Sequence, residues 1–576
     1  MWLLFDDARE GGASPRLYSQ PSDVIAAQDI DAVAPALERV RAGLRAGRHA
    51  AGYLAYEAGY AFDPKLERSA RRTEAPLLCF GLFEEFATPD IDNLLPSPDG
   101  AYVGLVRPRI LQGDYEAAVE RVREHLFAGD FYQANLTFGC DVAVAGDPLA
   151  LYSRLRRSAR AGWGGLLIHD HSAIISLSPE QFFTIRHGTI EARPMKGTAP
   201  RCADPDADLA EARALAADEK QRAENLMIVD LMRNDLARVS VAGSVEVPEL
   251  FAVETYPTVH QMVSQISARL RIECDAIDVL GTIFPCGSVT GAPKVAAIEA
   301  LTKLEPEPRG AYTGSMGWIE PGGDAAFNVL IRTLEWQMAW PKARLGLGSG
   351  LVVDSIPRDE WTECLLKGDF VRREAQDFDL IETMGFDPSE GIVELERHLD
   401  RMRNSAADLD FKFDRHAARN ELQAATFGRK QRAMVRLLLS RTGAMAIQVK
   451  TYDDPHELPV SVAVRPLPVD PSDFRLRYKT TDRRFLDEAR QGERAYETIF
   501  TDPAGQLTEG SRTNIFVDRG GKLITPPLTR GIMPGILRAK LIEEGRAEEA
   551  DLTPDDLKGG FYIGNIVRGL IPARLA

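Results

Sequence analysis

A change of pattern near residue 375 divides the sequence into two parts. Charged residues cluster at Arg373-Glu374-Ala375-Gln376, and a new strand-like run, Phe378 to Phe386, begins directly after them. A chain of 576 residues is too long for one ordinary hydrophobic core, so two or more domains are expected. We therefore predict one domain over residues 1–373 and a second over residues 374–576.

The two parts differ in their predicted folds. Before residue 373, short strand-like runs outnumber helices, which are predicted from Asp114 (as cap) to about Ala128 and from Asp218 to about Ala237. This pattern favours an α+β fold of stacked, largely antiparallel sheets with helices outside. The second part alternates strand and helix, which predicts an α/β domain of two lobes. These lobes are expected at about 378–470 and about 471–576.

Charge and cysteine content limit the partners. The net charge of −16 argues against a nucleic-acid partner, although a pocket for a small anion can still be locally basic. No apolar run approaches the roughly 20 residues that a membrane span needs, and the start of the sequence lacks the basic region of a signal peptide. None of the six cysteines forms a CxxC pair. We therefore expect a cytoplasmic enzyme with reduced thiols and without a zinc site.

The segment Arg193 to Arg201 is the first candidate for chemistry. Its prolines and Gly197 predict a stiff turn that approaches a ligand closely. Lys196 lies on this turn beside the hydroxyl of Thr198, which makes the lysine a candidate nucleophile. The alternative is a solvated surface lysine.

Carboxylates and arginines elsewhere in the first part suit a small anionic substrate. Glu224 and Glu363 lie on separate predicted helices, and together they would suit Mg²⁺. Each alone is also typical of a solvent-exposed charged residue on a helix surface. Arg309 and Arg332 are candidate clamps for substrate carboxylates, the alternative being ordinary ion pairs. The run Gly348-Ser349-Gly350 can offer backbone N–H groups to an anion, although most such runs are only turns.

Taken together, these segments resemble the chorismate-utilising enzymes over roughly residues 100 to 372. The motifs that carry the resemblance are Ser178-Pro179-Glu180, Lys196-Gly197-Thr198, the helix Ala223 to Asp235, Gly287 to Lys294, and Glu363 with Lys367. The resemblance implies that Glu224 and Glu363 bind Mg²⁺. It also implies that Tyr312 and Arg332 contact substrate carboxylates, and that Glu180 is the general acid that helps the 4-hydroxyl of chorismate leave.

Two positions distinguish members of this family. Relatives that add water carry a lysine where this chain has Gln133, so hydration is not expected. Anthranilate synthases carry alanine where this chain has Lys196, and a lysine there is typical of aminodeoxychorismate synthases. The implied mechanism is covalent: Lys196 attacks C2, and ammonia then enters at C4. Because no segment resembles a glutaminase, the ammonia is expected from a separate glutamine amidotransferase subunit.

The second part carries a lysine, a glutamate and a helix start that suit pyridoxal phosphate. Such an enzyme needs a lysine that bonds the cofactor, a carboxylate at the ring nitrogen and donors for the phosphate. Lys479, at the end of a probable strand, and Glu509 match the first two requirements. A helix N-terminus at Gly535-Ile536-Leu537 would offer the N–H groups of Ile536 and Leu537 to the phosphate. Singly, each feature also has an ordinary structural explanation.

Together these residues resemble the class IV pyridoxal-phosphate enzymes over about residues 378 to 576. The segment Glu396 to Met402 matches a family helix whose arginine, Arg401 here, contacts the phosphate, and Gly564 to Gly569 is most similar to the aminodeoxychorismate lyases. The family's usual opening strands, before Glu382-Thr383, are absent from the sequence pattern. A homodimer through this domain is left open.

The sequence therefore predicts a fusion of two consecutive activities that make 4-aminobenzoate for folate. The first would convert chorismate to 4-amino-4-deoxychorismate, and the second would release pyruvate. One alternative is an anthranilate synthase fused to an aminotransferase. Another is a catalytically silent C-terminal module that stabilises the synthase or docks the glutaminase.

Overall fold

The computed structural model describes residues 1–255, 259–451, 457–490 and 495–576. The chain forms two compact units. The first comprises Met1–Leu95, Val106–Val142 and Tyr152–Glu374, and the second comprises Pro96–Leu105, Ala143–Leu151 and Ala375–Ala576. The last passage into the second unit lies one residue after the start of the predicted second domain. The two earlier segments of that unit were not predicted from the sequence.

The strands are numbered in chain order. They are β1 (Trp2–Asp6), β2 (Arg16–Ser19), β3 (Asp23–Ala27), β4 (His49–Leu54), β5 (Leu78–Phe83), β6 (Tyr102–Pro108), β7 (Gln133–Ala145), β8 (Trp163–His169), β9 (Ser172–Ser178), β10 (Gln181–Arg186), β11 (Thr189–Arg193), β12 (Met195–Pro200), β13 (Glu246–Thr255), β14 (Val259–Arg269), β15 (Gly291–Ala292), β16 (Ser315–Ile319), β17 (Ala325–Asn328), β18 (Thr333–Gln337), β19 (Lys342–Leu351), β20 (Leu380–Asp387), β21 (Gly391–Ile392), β22 (Ala433–Leu439), β23 (Met445–Lys450), β24 (Val460–Pro466), β25 (Glu497–Thr501), β26 (Leu507–Gly510), β27 (Asn514–Arg519), β28 (Lys522–Thr525), β29 (Ala547–Glu549), β30 (Phe561–Asn565) and β31 (Gly569–Leu575).

The α-helices are numbered in the same way. They are α1 (Ile30–Arg45), α2 (Ile91–Leu94), α3 (Gln112–Ala128), α4 (Pro148–Ala159), α5 (Pro205–Ala217), α6 (Glu219–Ala237), α7 (Ala276–Ile283), α8 (Lys294–Leu304), α9 (Pro357–Lys367), α10 (Asp369–Arg372), α11 (Leu395–Asp408), α12 (Arg415–Thr426), α13 (Phe474–Arg477), α14 (Arg484–Arg490) and α15 (Ile536–Glu543). Among the described residues, no helix is both long enough and apolar enough to cross a membrane.

Two large sheets form the first unit. One follows the order β15-β7-β19-β18-β9-β8-β1-β2, and the other follows β12-β14-β11-β10-β17-β16-β4-β5-β3. Leu3 and Leu167 of the first sheet share one buried core with Tyr53 and Met316 of the second. Because inward-facing residues of both sheets meet in this core, the sheets are stacked face to face. The predicted fold of stacked sheets is confirmed.

Helices cover the outer side of the second sheet. Val33 of α1, Ile228 of α6 and Leu280 of α7 lie in one hydrophobic core with the residues of this sheet. The helix predicted from Asp218 begins at Glu219, and Asp218 caps it by accepting a hydrogen bond of 2.9 Å from the backbone N–H of Gln221. The predicted cap of α3 is wrong. That helix begins at Gln112, so Asp114 lies in its first turn. A carboxylate there interacts favourably with the helix dipole.

The second unit has two sheets with separate cores, which gives the two predicted lobes. The smaller sheet has the order β21-β20-β22-β23, and the larger has the order β26-β25-β24-β31-β30-β27-β28-β29. Because β24 pairs in parallel with β25 and β31, the lobe boundary lies before Val460 and not near residue 470 as predicted. The Asp470-Pro471-Ser472 segment is a local turn, in which the Ser472 N–H donates to Asp470.

Candidate active sites

Glu180 lies in a tight connection between β9 and β10. The hydroxyl of Ser178 accepts a hydrogen bond from the Glu180 N–H and donates to the carbonyl of Val329, at 3.2 and 2.6 Å. These bonds turn the Glu180 side chain inward, where only 6% of the residue is exposed. Burial raises the pKa of Glu180 to about 7, against the opposing effects of a Ser288 hydrogen bond and the charges of Lys196 and Lys367. Glu180 can therefore donate a proton near neutral pH.

Lys196 lies on a strand, β12, and not on the predicted turn. Met195 pairs with Val263 and Thr198 pairs with Gln261, so Lys196 and Gly197 together oppose Met262. This two-against-one arrangement is a β-bulge, and it requires the positive φ of +96° at Gly197. A bulge changes the direction of the side chains around it. Gly197 thus supplies the backbone conformation of the bulge, and its predicted close approach to a ligand stays a prediction.

Nζ of Lys196 lies over the backbone of Gly350, which has no side chain. A methyl group added at Gly350 would lie 2.7 Å from Lys196 Nζ and 3.0 Å from Gln133 Nε2. Gln133 is fully buried, and neither of its side-chain polar atoms has a hydrogen-bond partner among the described residues. A buried amide without partners is costly. The space above Gly350 is therefore suited to a polar ligand that satisfies Gln133.

The two predicted metal ligands come from α6 and α9 and affect each other electrostatically. Burial raises the pKa of Glu224; Lys196 and Lys220 oppose this rise, whereas Glu363 and Glu360 add to it. Burial also acts to raise the pKa of Glu363, but the neighbouring Lys367, at 2.8 Å, turns the net shift downward. Glu360 was not predicted as a site residue. Its position three residues before Glu363, on the same helix, was the available signal.

Arg309 is engaged within the protein. Its guanidinium forms an ion pair with Glu305 at 2.7 Å and donates to the carbonyls of Val289 and Asn135 at 2.8 and 2.7 Å. It also stacks on the ring of Tyr56, at 4.2 Å from the centroid. Only 3% of the residue is exposed. These contacts favour a structural role, and we do not retain Arg309 as a substrate clamp.

The remaining predicted residues of this site lie in different environments. Thr198 is exposed, and its hydroxyl donates to Gln261 at 3.1 Å. Tyr312 and Arg332 are half-buried, and their predicted substrate contacts stay predictions. The run Gly348-Ser349-Gly350 lies inside β19 and not in a turn. Lys367 Nζ donates to the carbonyl of Gly348 at 2.9 Å, which connects α9 to this strand.

A buried ion-pair network lies at the predicted phosphate arginine of the second unit. Arg401, on α11, binds both oxygens of Glu382 at 2.7 Å and donates to the carbonyl of Pro534 at 2.9 Å. The ring of His398 is 2.6 Å from Glu382 through Nδ1. Pro534 immediately precedes the N-cap of α15, and this helix begins at Ile536, followed by Leu537, as predicted. Arg401 and the start of α15 are therefore adjacent.

Lys479 lies beside this network. Burial lowers its pKa to about 7, with further contributions from the positive charges of Arg401, Arg483 and Arg436 and opposition from Glu382. The predicted strand at Lys479 is wrong. The residue lies between α13 and an isolated β-bridge that pairs Thr480 with Leu380. Its carbonyl accepts a hydrogen bond of 2.8 Å from Ile381 N–H, one residue before Glu382.

Glu509 is the third residue of β26, and one of its carboxylate oxygens has no hydrogen-bond partner among the described residues. Only 3% of the residue is exposed, and Oε1 forms no hydrogen bond among the described residues. Burial raises the pKa of Glu509 to about 8, although the charge of Arg483 acts in the opposite direction. An unpartnered buried acceptor is what a protonated ring nitrogen would satisfy. The residues present therefore fit pyridoxal phosphate.

Two half-buried arginines near Lys479 were missed by the sequence analysis. Arg436, on β22, has a buried Nε without a hydrogen-bond partner, and Arg483 has such an Nη1, both among the described residues. Arg483 comes four residues after Lys479, which was a usable signal. Arg436 gave none, because only the pairing of β22 with β20 brings it to this place.

Two family models match the chain. Residues 4–373 match the family described as chorismate binding enzyme, which is more than half of the chain. Residues 379–576 match the family described as amino-transferase class IV. The two matches therefore meet within the segment in which the sequence pattern changes.

Curated relatives match the first part of the chain. It is 39% identical over 337 residues to aminodeoxychorismate synthase component 1 of Salmonella typhimurium, covering 54% of this chain and 74% of that protein. The same component of Klebsiella aerogenes is 43% identical over 258 residues, which is 45% of this chain and 56% of that protein. The chain thus spans little more than half the length of the second relative.

A solved structure has the same fold as the first part. Anthranilate synthase component I from Streptococcus pneumoniae TIGR4 superposes with a TM-score of 0.54 and 24% identity. The superposition covers 62% of this chain and 92% of that one. At this level of identity, the likeness shows the fold alone.

Proposed function

The chain belongs to the family of chorismate-binding enzymes and carries a class IV aminotransferase domain after it, and on this premise we propose that it makes 4-aminobenzoate in two steps. In the first step, ammonia replaces the 4-hydroxyl of chorismate, which gives 4-amino-4-deoxychorismate. In the second step, pyruvate is eliminated. The observation that carries the proposal is the position of Lys196 Nζ beside Gln133 and Gly350, in electrostatic interaction with the buried acid Glu180.

Lys196 and Glu180 divide the chemistry of the first step. Nζ of Lys196 forms a bond to C2 of chorismate while the bond between C4 and its oxygen breaks. Glu180, partly protonated at neutral pH, supplies the proton with which this oxygen leaves as water. Ammonia then bonds to C4, and the bond between C2 and Nζ breaks, which restores the lysine.

Glu224 and Glu363 would hold Mg²⁺ at this site. The donor set fits, because Mg²⁺ usually binds through one or two protein carboxylates and keeps several waters. When bound, the metal would neutralise the ring carboxylate of the substrate and polarise the diene.

Lys479 would bond pyridoxal phosphate and later move the proton of the second step. Its lowered pKa favours the neutral amine, which can take the C4 proton from the substrate as pyruvate leaves and the ring becomes aromatic. Glu509 Oε1 would accept a hydrogen bond from the ring nitrogen. Arg401 and the N–H groups at the start of α15 would hold the phosphate. When bound, the cofactor withdraws electrons from the carbon that loses this proton.

Arg436 is our proposed contact for a carboxylate of the second substrate. The intermediate carries two carboxylates. Three arginines, Arg401, Arg483 and Arg436, act on Lys479 against the single carboxylate of Glu382, so this region suits an anion. A guanidinium with an unpartnered buried N–H suits such an anion.

A separate glutaminase subunit would supply the ammonia in the cytoplasm. Relatives that match the first part are named component 1, which supports a second component. A homodimer through the cofactor domain stays a prediction.

Mass spectrometry tests the covalent role of Lys196. The full chain is incubated with chorismate and Mg²⁺ in the absence of ammonium, and its peptides are then analysed. We expect an adduct of chorismate minus water on Lys196, and its loss when ammonium is added. The variant Lys196→Ala should show no adduct and should lose about 4 kcal/mol or more of barrier lowering. Wild-type amination by Lys196→Ala would contradict the proposed role.

A further inference from the structure

Tyr102 lies in a core of the second unit whose other buried members, apart from Ala143, begin at Phe378. It is fully buried. Its hydroxyl donates to the carbonyl of Leu409 at 2.6 Å and accepts a hydrogen bond from Arg441 at 2.7 Å. Both hydrogen-bonding functions of the phenol are thus used inside this unit.

The ring of Tyr102 packs in a cluster of phenylalanines. Its centroid is 5.6 Å from that of Phe378 and 5.6 Å from that of Phe474. Phe378 and Phe474 are also 5.8 Å apart, so the three rings are in mutual contact. Aromatic contacts at these distances contribute beyond the area that they bury.

Three partners of Tyr102 belong to segments that carry Arg401, Lys479 or Glu382, the carboxylate that pairs with Arg401. Leu409 follows directly after α11, the helix of Arg401. Phe378 lies four residues before Glu382, and Phe474 lies five residues before Lys479. A single side chain therefore joins three of the segments that contribute to this site. Residues 375–379 are all described and contain no strand, so no strand there joins these segments.

We infer that Tyr102 is a positioning residue for the cofactor site of the second unit. It acts through the segments of Glu382, Arg401 and Lys479 and touches none of the reacting atoms. This inference rests on the proposed lyase function.

The test uses the full chain with Tyr102→Phe and Tyr102→Leu. The control is Tyr152→Phe, because Tyr152 is also buried and its hydroxyl donates to Asp6 at 2.9 Å, but it lies in the first unit. Pyridoxal phosphate is titrated into each protein while its visible absorption is recorded, and the pH midpoint of that absorption is determined. Amination of chorismate with ammonium is measured on the same samples.

Tyr102→Leu should bind the cofactor about tenfold more weakly or worse, because buried partners lose their hydrogen bonds. Its pH midpoint should shift, whereas Tyr102→Phe should show a smaller effect and Tyr152→Phe none. Amination should stay within about twofold of wild type in all three. Unchanged affinity and midpoint in Tyr102→Leu would overturn the inference, as would a parallel loss of amination. If the wild-type chain itself shows no saturable cofactor binding, the lyase proposal fails first.

Discussion

The hydroxyl of Ser288 donates a hydrogen bond of 2.7 Å to Oε1 of Glu180. This bond stabilises the ionised carboxylate and so opposes the upward shift that burial imposes on the pKa of Glu180. The balance leaves the pKa at about 7, where a group can both hold and release a proton. The two residues come from segments 108 positions apart in the sequence.

The first prediction concerns the pH dependence of the amination. A general acid works only while protonated, so the rate at a fixed concentration of neutral NH₃ should fall as pH rises through about 7. Glu180→Gln should lower kcat by about 10²-fold to 10⁴-fold. Ser288→Ala should move the falling limb to higher pH, because it removes a bond that favours ionisation. A pH profile of Ser288→Ala that coincides with wild type would contradict this account.

The second prediction separates the two activities. Lys479→Ala should abolish pyruvate release while amination stays unchanged, since the two sets of site residues lie in different units. The wild-type protein with pyridoxal phosphate should be yellow, and borohydride should fix the cofactor on Lys479. Peptide mapping after reduction identifies the residue. A variant without Lys479 that still releases pyruvate would exclude the proposed role.

The third prediction concerns the unpartnered oxygen of Glu509. In Glu509→Gln, a neutral amide takes the place of a carboxylate. The ring nitrogen of the cofactor then loses the negatively charged group that stabilises its proton. We expect pyruvate release to fall about tenfold or more and cofactor affinity to weaken. The matched control is Glu548→Gln, an exposed residue that pairs with Lys522. Equal effects of the two substitutions would refute a specific role for Glu509.

The fourth prediction concerns the nitrogen source. The chain alone should turn over with ammonium and not with glutamine, and addition of a glutaminase subunit should confer use of glutamine. At a fixed total ammonium concentration, the supply of NH₃ rises with pH, which opposes the loss of protonated Glu180. Assays with each nitrogen source in turn measure this. Glutamine-dependent turnover by the purified chain alone would reveal a glutaminase site that the account lacks.

Local sequence signals predicted those parts of the molecule that depend on neighbours in the chain. The start of α6 and the start of α15 were both predicted, because the signals that begin a helix act over a few residues. The Lys196 segment was misread as a turn. A β-bulge depends on the pairing of two strands, and that pairing is not visible in one segment.

Features that depend on long-range contacts could not be predicted. Arg309 was a candidate contact for a substrate carboxylate, with an ordinary ion pair as the alternative. In the structure its guanidinium binds Glu305 and the carbonyls of Val289 and Asn135. Arg436 gave no local sign of its nearness to Lys479. The same holds for Tyr102, since nothing in the sequence around it indicates that it belongs to the second unit.

The identity of the products tests the central claim most directly. The full chain is incubated with chorismate, ammonium and Mg²⁺, with and without pyridoxal phosphate. The products are separated by chromatography and identified by retention time and mass. We predict 4-amino-4-deoxychorismate without the cofactor, and 4-aminobenzoate with one equivalent of pyruvate in its presence. Anthranilate as the product, or pyruvate release that does not depend on the cofactor, would contradict the account.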